Sequence, residues 1–406
     1  MKTNIGVFFG GRSTEHEISV ISASQAMHAI DREKYDVTPI YITKEGHWFT
    51  GEALFEVANY RNIPALLAKC REVYMQPVYG DFNLYLSKKP MFGSGVLTRL
   101  DVAIPVLHGS NGEDGTFEGV LDSIGIPYAG CDVLASANGM DKITMKMILR
   151  SCDIPVVDFV WFTDKQWFSQ GEQLIDRIEA SLGYPVIVKP ANLGSSVGIG
   201  RAADRARLVD CIAEAANYSS RIIVEHMVDN LKEINCSVLG DCDDYRTSVC
   251  EEPIKSGEIL SYEDKYMGGG AKTKGARGMA VSQKRIPAEI PESMSERIRF
   301  LAGETFRVLS CQGVSRVDVI VDNDSGEIYV NEINTIPGSL SFYLWEATGI
   351  SFPELMDTLV KLALKRQRQR ERKTVTYDRN IFSLGGGVKG GVKGGVKGGT
   401  KGGYMK

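Results

Sequence analysis

The residues best suited to chemistry lie late in the chain, where Asp318 is followed by Glu332 and Asn334. Asp318 belongs to the apolar run Val314 to Val321, and the other two close the run Ile328 to Asn334. Because side chains alternate along a strand, Glu332 and Asn334 should share one face. Carboxylate and amide oxygens suit Mg²⁺ better than a soft metal. The pattern predicts a hard-cation site, against the alternative that Asp318 ends a strand and the others cap a loop.

Three lysines, Lys142, Lys189 and Lys265, lie near segments that could hold phosphate. Lysine is usually a solvated surface residue. Lys189 differs because it ends an otherwise apolar strand, and a buried lysine needs an anionic partner. The loop Gly194 to Gly200 follows, and its glycines leave backbone N–H groups open to phosphate oxygens. The alternative for this loop is a plain β-hairpin turn.

The elements that must position these residues begin with an α/β pattern. Strands and helices alternate from the N terminus, which predicts a doubly wound parallel domain with both of its glycine loops at the carboxyl edge of the strands. The predicted elements are a first strand at Ile5 to Phe9, helix Ser19 to Ile30, strand Val37 to Ile42, strand Val102 to Leu107 and helix Thr116 to Ile124. The first strand is too short for a signal-peptide core, so we interpret the chain as unprocessed.

From about Asp141 the pattern changes to α+β. The predicted elements are helix Lys142 to Arg150, strand Val186 to Pro190, strands Ile222 to Glu225 and Ile234 to Leu239, the two late strands above, and helix Phe352 to Ala363. We place domain boundaries near 138 and 230. The predicted divisions are residues 1–138, 139–230 and 231–373, followed by a low-complexity tail at 374–406.

Composition excludes several classes of protein. The chain has 406 residues, 43% hydrophobic and 24% charged, so it is neither wholly disordered nor too short for more than one core. No apolar run approaches the length of a membrane span. Eight cysteines without C-x-x-C spacing are ordinary for a cytoplasmic protein and predict neither a disulfide framework nor a zinc site.

The tail carries charge of the opposite sign to the rest. Gly385 to Lys406 has five lysines and no acid, so the net charge of −4 leaves −9 on the remaining chain. Val-Lys-Gly-Gly occurs three times and Thr-Lys-Gly-Gly once, and glycine this dense predicts disorder. We consider three roles for the tail: an inert extension, a binder of an anionic polymer, or a set of lysine acceptors for the enzyme's own reaction.

Taken together, the motifs resemble the D-alanine–D-alanine ligases of the ATP-grasp superfamily. The resemblance covers residues 1 to about 365 in family order. The matching segments are Gly10 to Ser19, Leu107 to Thr116, Met140 to Lys142, Val188 to Pro190 with Gly194 to Gly198, Lys265-Tyr266, Arg316 to Asp318 and Asn331 to Gly338. It implies an ATP-grasp fold with an N-terminal doubly wound α/β domain and two α+β subdomains.

The resemblance also implies residue roles. ATP would be bound by Lys142, Lys189, Glu225 on the adenine side, Glu233 at the ribose and Lys265 at the terminal phosphate. Two Mg²⁺ ions, or Mn²⁺ in their place, would be held by Asp318, Glu332 and Asn334. The catalytic group would comprise Glu15 at the first substrate's ammonium, His108 near its carboxylate, Arg316 and the Gly338 N–H at the oxyanion, and a Glu15–Ser195–Tyr266 triad that closes the site. For His108 the alternative is a plain loop histidine.

One segment departs from the family pattern. Where well-known members carry Ser-His-Ser-Leu after the Pro-Gly step, this chain has Ser341-Phe342-Tyr343-Leu344. Tyr343 takes the place of a serine that binds the second substrate's carboxylate, and Phe342 takes the place of the histidine. The lid segment Met267 to Arg277 is rich in glycine and lysine. It could bind a more acidic or longer acceptor, or simply close over ATP.

We therefore predict a cytoplasmic, homodimeric, ATP-dependent ligase that makes D-alanyl-D-alanine for peptidoglycan, and so for cell-wall biogenesis and cell shape. One alternative is a related ligase with another second substrate, such as D-serine, D-lactate, another amino acid, a peptide amine or its own C-terminal lysines. The other is a non-catalytic scaffold that uses the tail to bind a polymer. The metal cluster argues against the scaffold, which has no need of one.

Overall fold

The strands form three sheets. The computed structural model describes residues 2–194, 197–254 and 284–376. Within these ranges the strands are β1 (Thr3–Gly10), β2 (Tyr35–Ile42), β3 (Trp48–Thr50), β4 (Arg71–Met75), β5 (Asn83–Leu86), β6 (Val96–Arg99), β7 (Val102–Val106), β8 (Phe159–Thr163), β9 (Val186–Pro190), β10 (Gly200–Ala202), β11 (Arg221–His226), β12 (Leu231–Gly240), β13 (Tyr245–Pro253), β14 (Lys284–Arg285), β15 (Gly313–Asp322) and β16 (Ile328–Asn334).

Helices pack on these sheets. The α-helices are α1 (His16–Ala29), α2 (Ile63–Leu67), α3 (Thr116–Ile124), α4 (Val133–Met140), α5 (Lys142–Ser151), α6 (Asp164–Leu182), α7 (Arg205–Ala216), α8 (Glu292–Val308), α9 (Phe342–Ala347) and α10 (Phe352–Glu371). Short 3₁₀ turns cover Glu52–Phe55, Val57–Arg61 and Gly338–Ser341. None of the helices in the described ranges is long and apolar enough to cross a membrane.

The first sheet has seven strands in the order β6-β5-β4-β3-β2-β1-β7. Strands β2, β1 and β7 are parallel, as the sequence predicts, and the remaining pairs are antiparallel. Because β1 and β7 are parallel neighbours, the glycine turn at Gly10-Gly11 and the loop from His108 leave the sheet at the same carboxyl edge. The first sheet thus places two candidate loops side by side.

The second and third sheets are antiparallel, in the orders β10-β9-β11-β8 and β14-β13-β12-β15-β16. Strands β9 and β10 form an antiparallel hairpin, and the candidate phosphate loop after Lys189 connects them. Its binding of phosphate stays a prediction. In the third sheet, Glu251, Asn235, Asp318 and Glu332 align as one row across β13, β12, β15 and β16. Aligned residues project to the same face, so this row brings three carboxylates and an amide to one surface.

Helix α10 returns to the first sheet. Phe352 and Leu355 are buried in the same apolar cluster as Ile5 of β1, and the Tyr35 hydroxyl donates a hydrogen bond of 2.7 Å to Asp357. The two ends of the folded region therefore share a core, and the third sheet is held close to the first.

Most predicted elements are confirmed, with shifted ends. Helix α1 begins three residues before the predicted Ser19, and α10 continues eight residues beyond the predicted Ala363. Strands β3 to β6 were not predicted.

The chain divides after Gln367 into two units, and the fold and site lie in the first. The domain boundaries near 138 and 230 stay predictions, and most of the tail lies outside the described residues.

Candidate active site

A cavity of about 480 Å³ lies between the second and third sheets. Its wall includes Lys189 of β9, Glu225 of β11, Glu233 of β12, Asp318 of β15 and Glu332 of β16. Volumes of a few hundred Å³ are typical of small-molecule sites. The cavity therefore has the size and the charged lining of a ligand site, and its lining includes half of the candidate site residues singled out from the sequence.

The predicted metal residues meet on β15 and β16. Asp318 is aligned with Glu332, and Arg316 with Asn334. The Arg316 guanidinium donates to both Asp318 oxygens, with Nε–Oδ1 at 2.6 Å and Nη2–Oδ2 at 2.8 Å. The Asn334 amide donates to Asp318 Oδ2 at 3.1 Å. Arg316, Asp318 and Asn334 thus form one hydrogen-bonded group, and Glu332 lies beside Asp318 on the neighbouring strand.

This group fits a hard divalent cation by its chemistry. Its donors are the carboxylates of Asp318 and Glu332 and the amide oxygen of Asn334, all oxygen ligands. In the described ranges, no three His, Cys, Asp or Glu side chains gather into a metal-binding group, so the amide would have to supply the third protein ligand. The paired guanidinium shows that Asp318 already attracts a cation.

Two lysines face the cavity from different elements. Lys142 is the first residue of α5, whose start is capped by Asp141, which accepts a hydrogen bond from the Thr144 N–H at 2.8 Å. Its ammonium lies 3.4 Å from Glu332 Oε2 and donates to the Leu193 carbonyl at 2.9 Å. The lysine therefore joins the metal residues to the β9–β10 loop.

Lys189 is buried, and its anionic partner is a carboxylate of the protein. Its ammonium donates to Glu225 Oε2 at 2.7 Å and to Asn331 Oδ1 at 3.3 Å. Burial alone would lower the Lys189 pKa, but Glu225 raises it above its usual value, so the lysine stays charged. The buried Lys189 thus has an anionic partner within the protein, and its contact with phosphate stays a prediction.

Sequence reasoning missed Lys146, which holds the other side of Glu225. Lys146 is fully buried, and its ammonium lies 3.1 Å from Glu225 Oε1. Burial would raise the Glu225 pKa, but the two lysines lower it to about 2. The signal was available, because Lys146 lies one helical turn after Lys142 on the same face of α5.

This geometry bears on the predicted nucleotide roles of Glu225 and Glu233. Both residues line the cavity, but only 2% of Glu225 is exposed and both of its carboxylate oxygens face lysines. Glu225 is therefore placed to hold Lys189 in position. Its contact with adenine, and that of Glu233 with the ribose, stay predictions.

The N-terminal loops add a second set of polar residues. Glu15 is buried, and a Cβ placed on Gly109 or Gly194 would lie 2.7 Å or 3.3 Å from its Oε2. Glu15 therefore lies between the loop after β7 and the β9–β10 loop. The remaining members of the predicted closing triad, Ser195 and Tyr266, and the phosphate candidate Lys265, lie outside the described residues.

His108 links the first sheet to the loop after β16. Its Nδ1 is 2.9 Å from the Ile336 carbonyl, and its Nε2 is 2.8 Å from Ser22 Oγ, which accepts from the Ser339 N–H at 2.9 Å. Since a carbonyl only accepts, Nδ1 carries the proton and Nε2 accepts from Ser22. Burial lowers the His108 pKa to about 4, so the ring is neutral. A contact with substrate carboxylate stays a prediction.

Glu113 makes a parallel link and was also missed. It accepts hydrogen bonds from the Gly109 N–H at 2.8 Å and from the Ile336 N–H at 3.1 Å. Burial, with the nearby Glu15 charge, raises the Glu113 pKa to about 8. Both Glu113 and His108 therefore fix the loop that leads to Gly338.

That loop is conformationally unusual. Directly after Gly338, the residues Ser339, Leu340 and Ser341 all have φ near +50°, the left-handed region that side chains with a Cβ rarely adopt. Phe342 then stacks on Phe352, with ring centroids 4.5 Å apart. The next residue, Tyr343, donates its hydroxyl to Glu251 at 3.1 Å. Of the two atypical residues, Phe342 packs in the core and Tyr343 joins the polar site.

The fold and this site together define a ligase of the ATP-grasp class, and comparison with known proteins identifies the family. Profiles described as "D-ala D-ala ligase N-terminus" and "D-ala D-ala ligase C-terminus" match residues 4–131 and 148–361. The chain is 38% identical to the D-alanine–D-alanine ligase of Thermosipho melanesiensis, covering 95% of this chain and 99% of that protein. It is 40% identical to that of Acetivibrio thermocellus, over 90% and 96%.

Solved structures agree. The D-alanine-D-alanine ligase from Coxiella burnetii superposes with a TM-score of 0.73 at 29% identity, covering 91% of this chain and 96% of that one. The VanG D-Ala:D-Ser ligase from Enterococcus faecalis superposes with a TM-score of 0.75 at 31% identity, covering 89% and 100%. The chain belongs to the D-alanine–D-alanine ligase family. It is therefore an ATP-dependent ligase, of a family that uses ATP with a divalent metal ion.

Proposed function

We propose that this chain joins two D-alanine molecules, with conversion of ATP to ADP and phosphate, and so supplies D-alanyl-D-alanine for peptidoglycan. The supporting observation is the position of Arg316. It is bonded to Asp318 in the predicted metal group, and its positive charge also acts on His108 and Glu113, where burial is the main cause of the lowered His108 pKa and of the raised Glu113 pKa. One guanidinium thus lies between the phosphate side of the cavity and the N-terminal loops.

The proposed roles of the residues follow from their positions in the cavity. Lys142 and Lys189 would bind phosphate oxygens as point charges. Asp318, Glu332 and Asn334 would hold Mg²⁺, which neutralises phosphate charge when it is bound. The contacts of Lys142 with Glu332 and of Lys189 with Glu225 would hold both ammonium groups in position for phosphate oxygens.

The N-terminal loops would bind the first D-alanine. Glu15 would accept hydrogen bonds from its ammonium group, since the buried carboxylate lies where the β7 and β9–β10 loops approach. The substrate carboxylate takes the terminal phosphoryl group, and the amine of the second D-alanine then displaces phosphate from that carbonyl carbon. Arg316 and the Gly338 N–H would stabilise the negative oxygen that forms in this step.

The test is phosphate release with ATP and Mg²⁺ across a panel of D- and L-amino acids, followed by product masses. D-alanine alone should release phosphate and give a dimer with the mass of alanylalanine, and Glu332→Ala should give neither. Phosphate release only when D-serine or D-lactate accompanies D-alanine would replace the proposal by the alternative with a different second substrate. No phosphate release with any amino acid would reject both.

The metal ion, the oligomeric state, the location in the cell and the role of the tail are further parts of this proposal. We propose Mg²⁺ as the working ion, a homodimeric enzyme acting in the cytoplasm, and a tail that binds anionic polymers through its five lysines. Activity with Mg²⁺ against Mn²⁺, sedimentation, fractionation of cells, and salt-dependent binding to a polyanion test them in turn.

A further inference from the structure

A second charged cluster lies at the β13–β14 end of the third sheet. Lys284 of β14 has its ammonium 3.0 Å from Glu251 Oε1 and 4.0 Å from the centroid of the Tyr343 ring. Tyr343 donates its hydroxyl to the other oxygen of Glu251 at 3.1 Å. The Asn235 amide also donates to Glu251 Oε2, at 3.5 Å. The three side chains are neither predicted metal ligands nor the lysines assigned to phosphate.

Strand register places this group in line with the metal residues. Glu251 belongs to the aligned row with Asn235, Asp318 and Glu332. Lys284 is aligned with Pro253, two residues from Glu251, and so projects to the same face. Two strand spacings separate Glu251 from Asp318, roughly 10 Å. The cluster therefore lies about the length of a small molecule from the residues predicted to hold the metal.

Glu251 and Lys284 differ in how far their side chains are exposed to solvent. The Glu251 side chain is 1% exposed, whereas that of Lys284 is 30% exposed. Burial alone would lower the Lys284 pKa, but Tyr343 and Glu251 raise it, so the amine remains an ammonium. An ammonium has three hydrogen-bond donors. Because Glu251 holds the Lys284 ammonium at its buried side, a carboxylate bound at the exposed side would meet a charged donor whose position is already fixed.

The position of Arg316 assigns a use to this cluster, provided that the proposed function holds. The attacked carbonyl carbon must lie by Arg316, with phosphate on the side of Lys142 and Lys189. The first D-alanine lies towards Glu15 and His108. The second D-alanine must approach the same carbon from a side that neither phosphate nor the first D-alanine occupies. Tyr343 interacts electrostatically with Arg316 and marks such a side. An α-amino acid spans about 3–4 Å from its amine to its carboxylate, so the acceptor carboxylate lies a few Å from the attacked carbon, on the side from which the acceptor enters.

We propose that Lys284 binds the carboxylate of the second D-alanine, with Glu251 and Tyr343 as the residues that position its ammonium. The site selects acceptors that carry an anionic group next to the attacking amine. Glu251 prevents Lys284 from extending towards the phosphates, where it would compete with Lys142 and Lys189.

The experiment compares Lys284→Met with the wild type, using D-alanine as the first substrate and either D-alanine or D-alaninamide as acceptor. The amide keeps the amine and methyl group but carries no carboxylate. Loss of one charge-assisted contact should raise the KM for the acceptor D-alanine roughly 10- to 100-fold. The KM for ATP and for the first D-alanine should change less than about twofold, and preference for D-alanine over its amide should fall by the same factor as acceptor affinity.

Two further variants complete the design. Arg285→Met removes the neighbouring cation of β14, which pairs with Glu252 and Glu289, and should leave the acceptor preference unchanged. Lys284→Arg keeps the charge and should retain most of the preference. The inference is wrong if Lys284→Met slows both acceptors equally, if the wild type uses both equally well, or if the KM for ATP rises instead. Failure of the wild type to make any dipeptide from D-alanine would reject the proposed function itself, and the inference with it.

Discussion

Replacing Glu225 by glutamine should separate its structural from its nucleotide role. The change removes the carboxylate that contacts both Lys146 and Lys189, and leaves two buried ammonium groups facing a neutral amide. The two lysines lower the Glu225 pKa from 4.5 to about 2. At 1.36 kcal/mol for each unit of pKa, the charged form contributes about 3 kcal/mol to the free energy of unfolding. Loss of one partner from a buried ion pair typically costs about 3–5 kcal/mol, which agrees.

The pH dependence has a defined sign. Because the folded pKa lies below the unfolded one, this stability is fully present above about pH 4.5 and is lost as the pH falls towards 2. At pH 7 Glu225→Gln should therefore unfold at lower urea concentration than the wild type. Isothermal titration should also show weaker ATP binding, because Lys189 loses the group that holds it.

Two comparisons make the result interpretable. Glu172→Gln removes an exposed carboxylate that pairs with Arg205 at 2.6 Å, and should change the free energy of unfolding by less than about 1 kcal/mol. Adding Lys146→Met to Glu225→Gln removes one of the two facing ammonium groups, so the double variant should be more stable than the single one. If Glu225→Gln unfolds like Glu172→Gln, or if it only changes the preference for ATP over GTP, the carboxylate serves adenine and our reasoning is incorrect.

Four further predictions address other parts of the molecule. Glu332→Ala should abolish phosphate release while leaving the melting temperature within a few degrees of wild type, because it removes a carboxylate where phosphoryl charge develops; wild-type turnover at saturating Mg²⁺ would reject the metal assignment. The raised Glu113 pKa means that stability should fall as pH rises from about 4.5 through 8, and Glu113→Gln should flatten that slope in thermal melts between pH 5 and 8. Tyr266→Phe and Ser195→Ala should each raise the ratio of phosphate to dipeptide, since water would reach the acylphosphate; an unchanged ratio in both disproves the lid role. Truncation after Lys373 should leave the rate of dipeptide formation within about twofold, because a glycine repeat supplies no preorganised group, and a larger loss would show that the tail takes part.

The sequence predicted the elements with continuous apolar runs. The bounds of β9, β16 and α3 match the predictions, because buried strands and an amphipathic helix leave clear patterns. The start of α1 was missed because Glu15 precedes it without a capping hydrogen bond, so the usual signal is absent. The end of α10 was missed because the residues after Ala363 are mostly lysine, arginine and glutamine and continue no apolar pattern, although these residues favour helices.

Site residues could be predicted from the sequence where they belong to a motif. They could not be predicted where only the tertiary fold brings them together. Asp318 and Glu332 could be paired from strand alternation alone. Glu251 and Lys284 follow no motif, and their approach depends on the register of β13 with β12 and β14. Lys146 was visible as a lysine one turn from Lys142, but only the position of Glu225 shows what it does.

The hydrogen bonds that join Ser22, His108 and Glu113 with the loop at Ile336 and Ser339 also constrain how the polypeptide acquires its native state during translation. His108 and Ile336 are separated by 228 positions, so at about 5–20 residues per second the N-terminal loops wait roughly 10–45 s on the ribosome for their partner. During that interval the buried carboxyl of Glu113 and the imidazole of His108 lack the backbone groups that satisfy them in the finished enzyme. The catalytic edge of the first sheet is therefore completed among the last parts of the protein, and polypeptides released before residue 340 would lack a working active site.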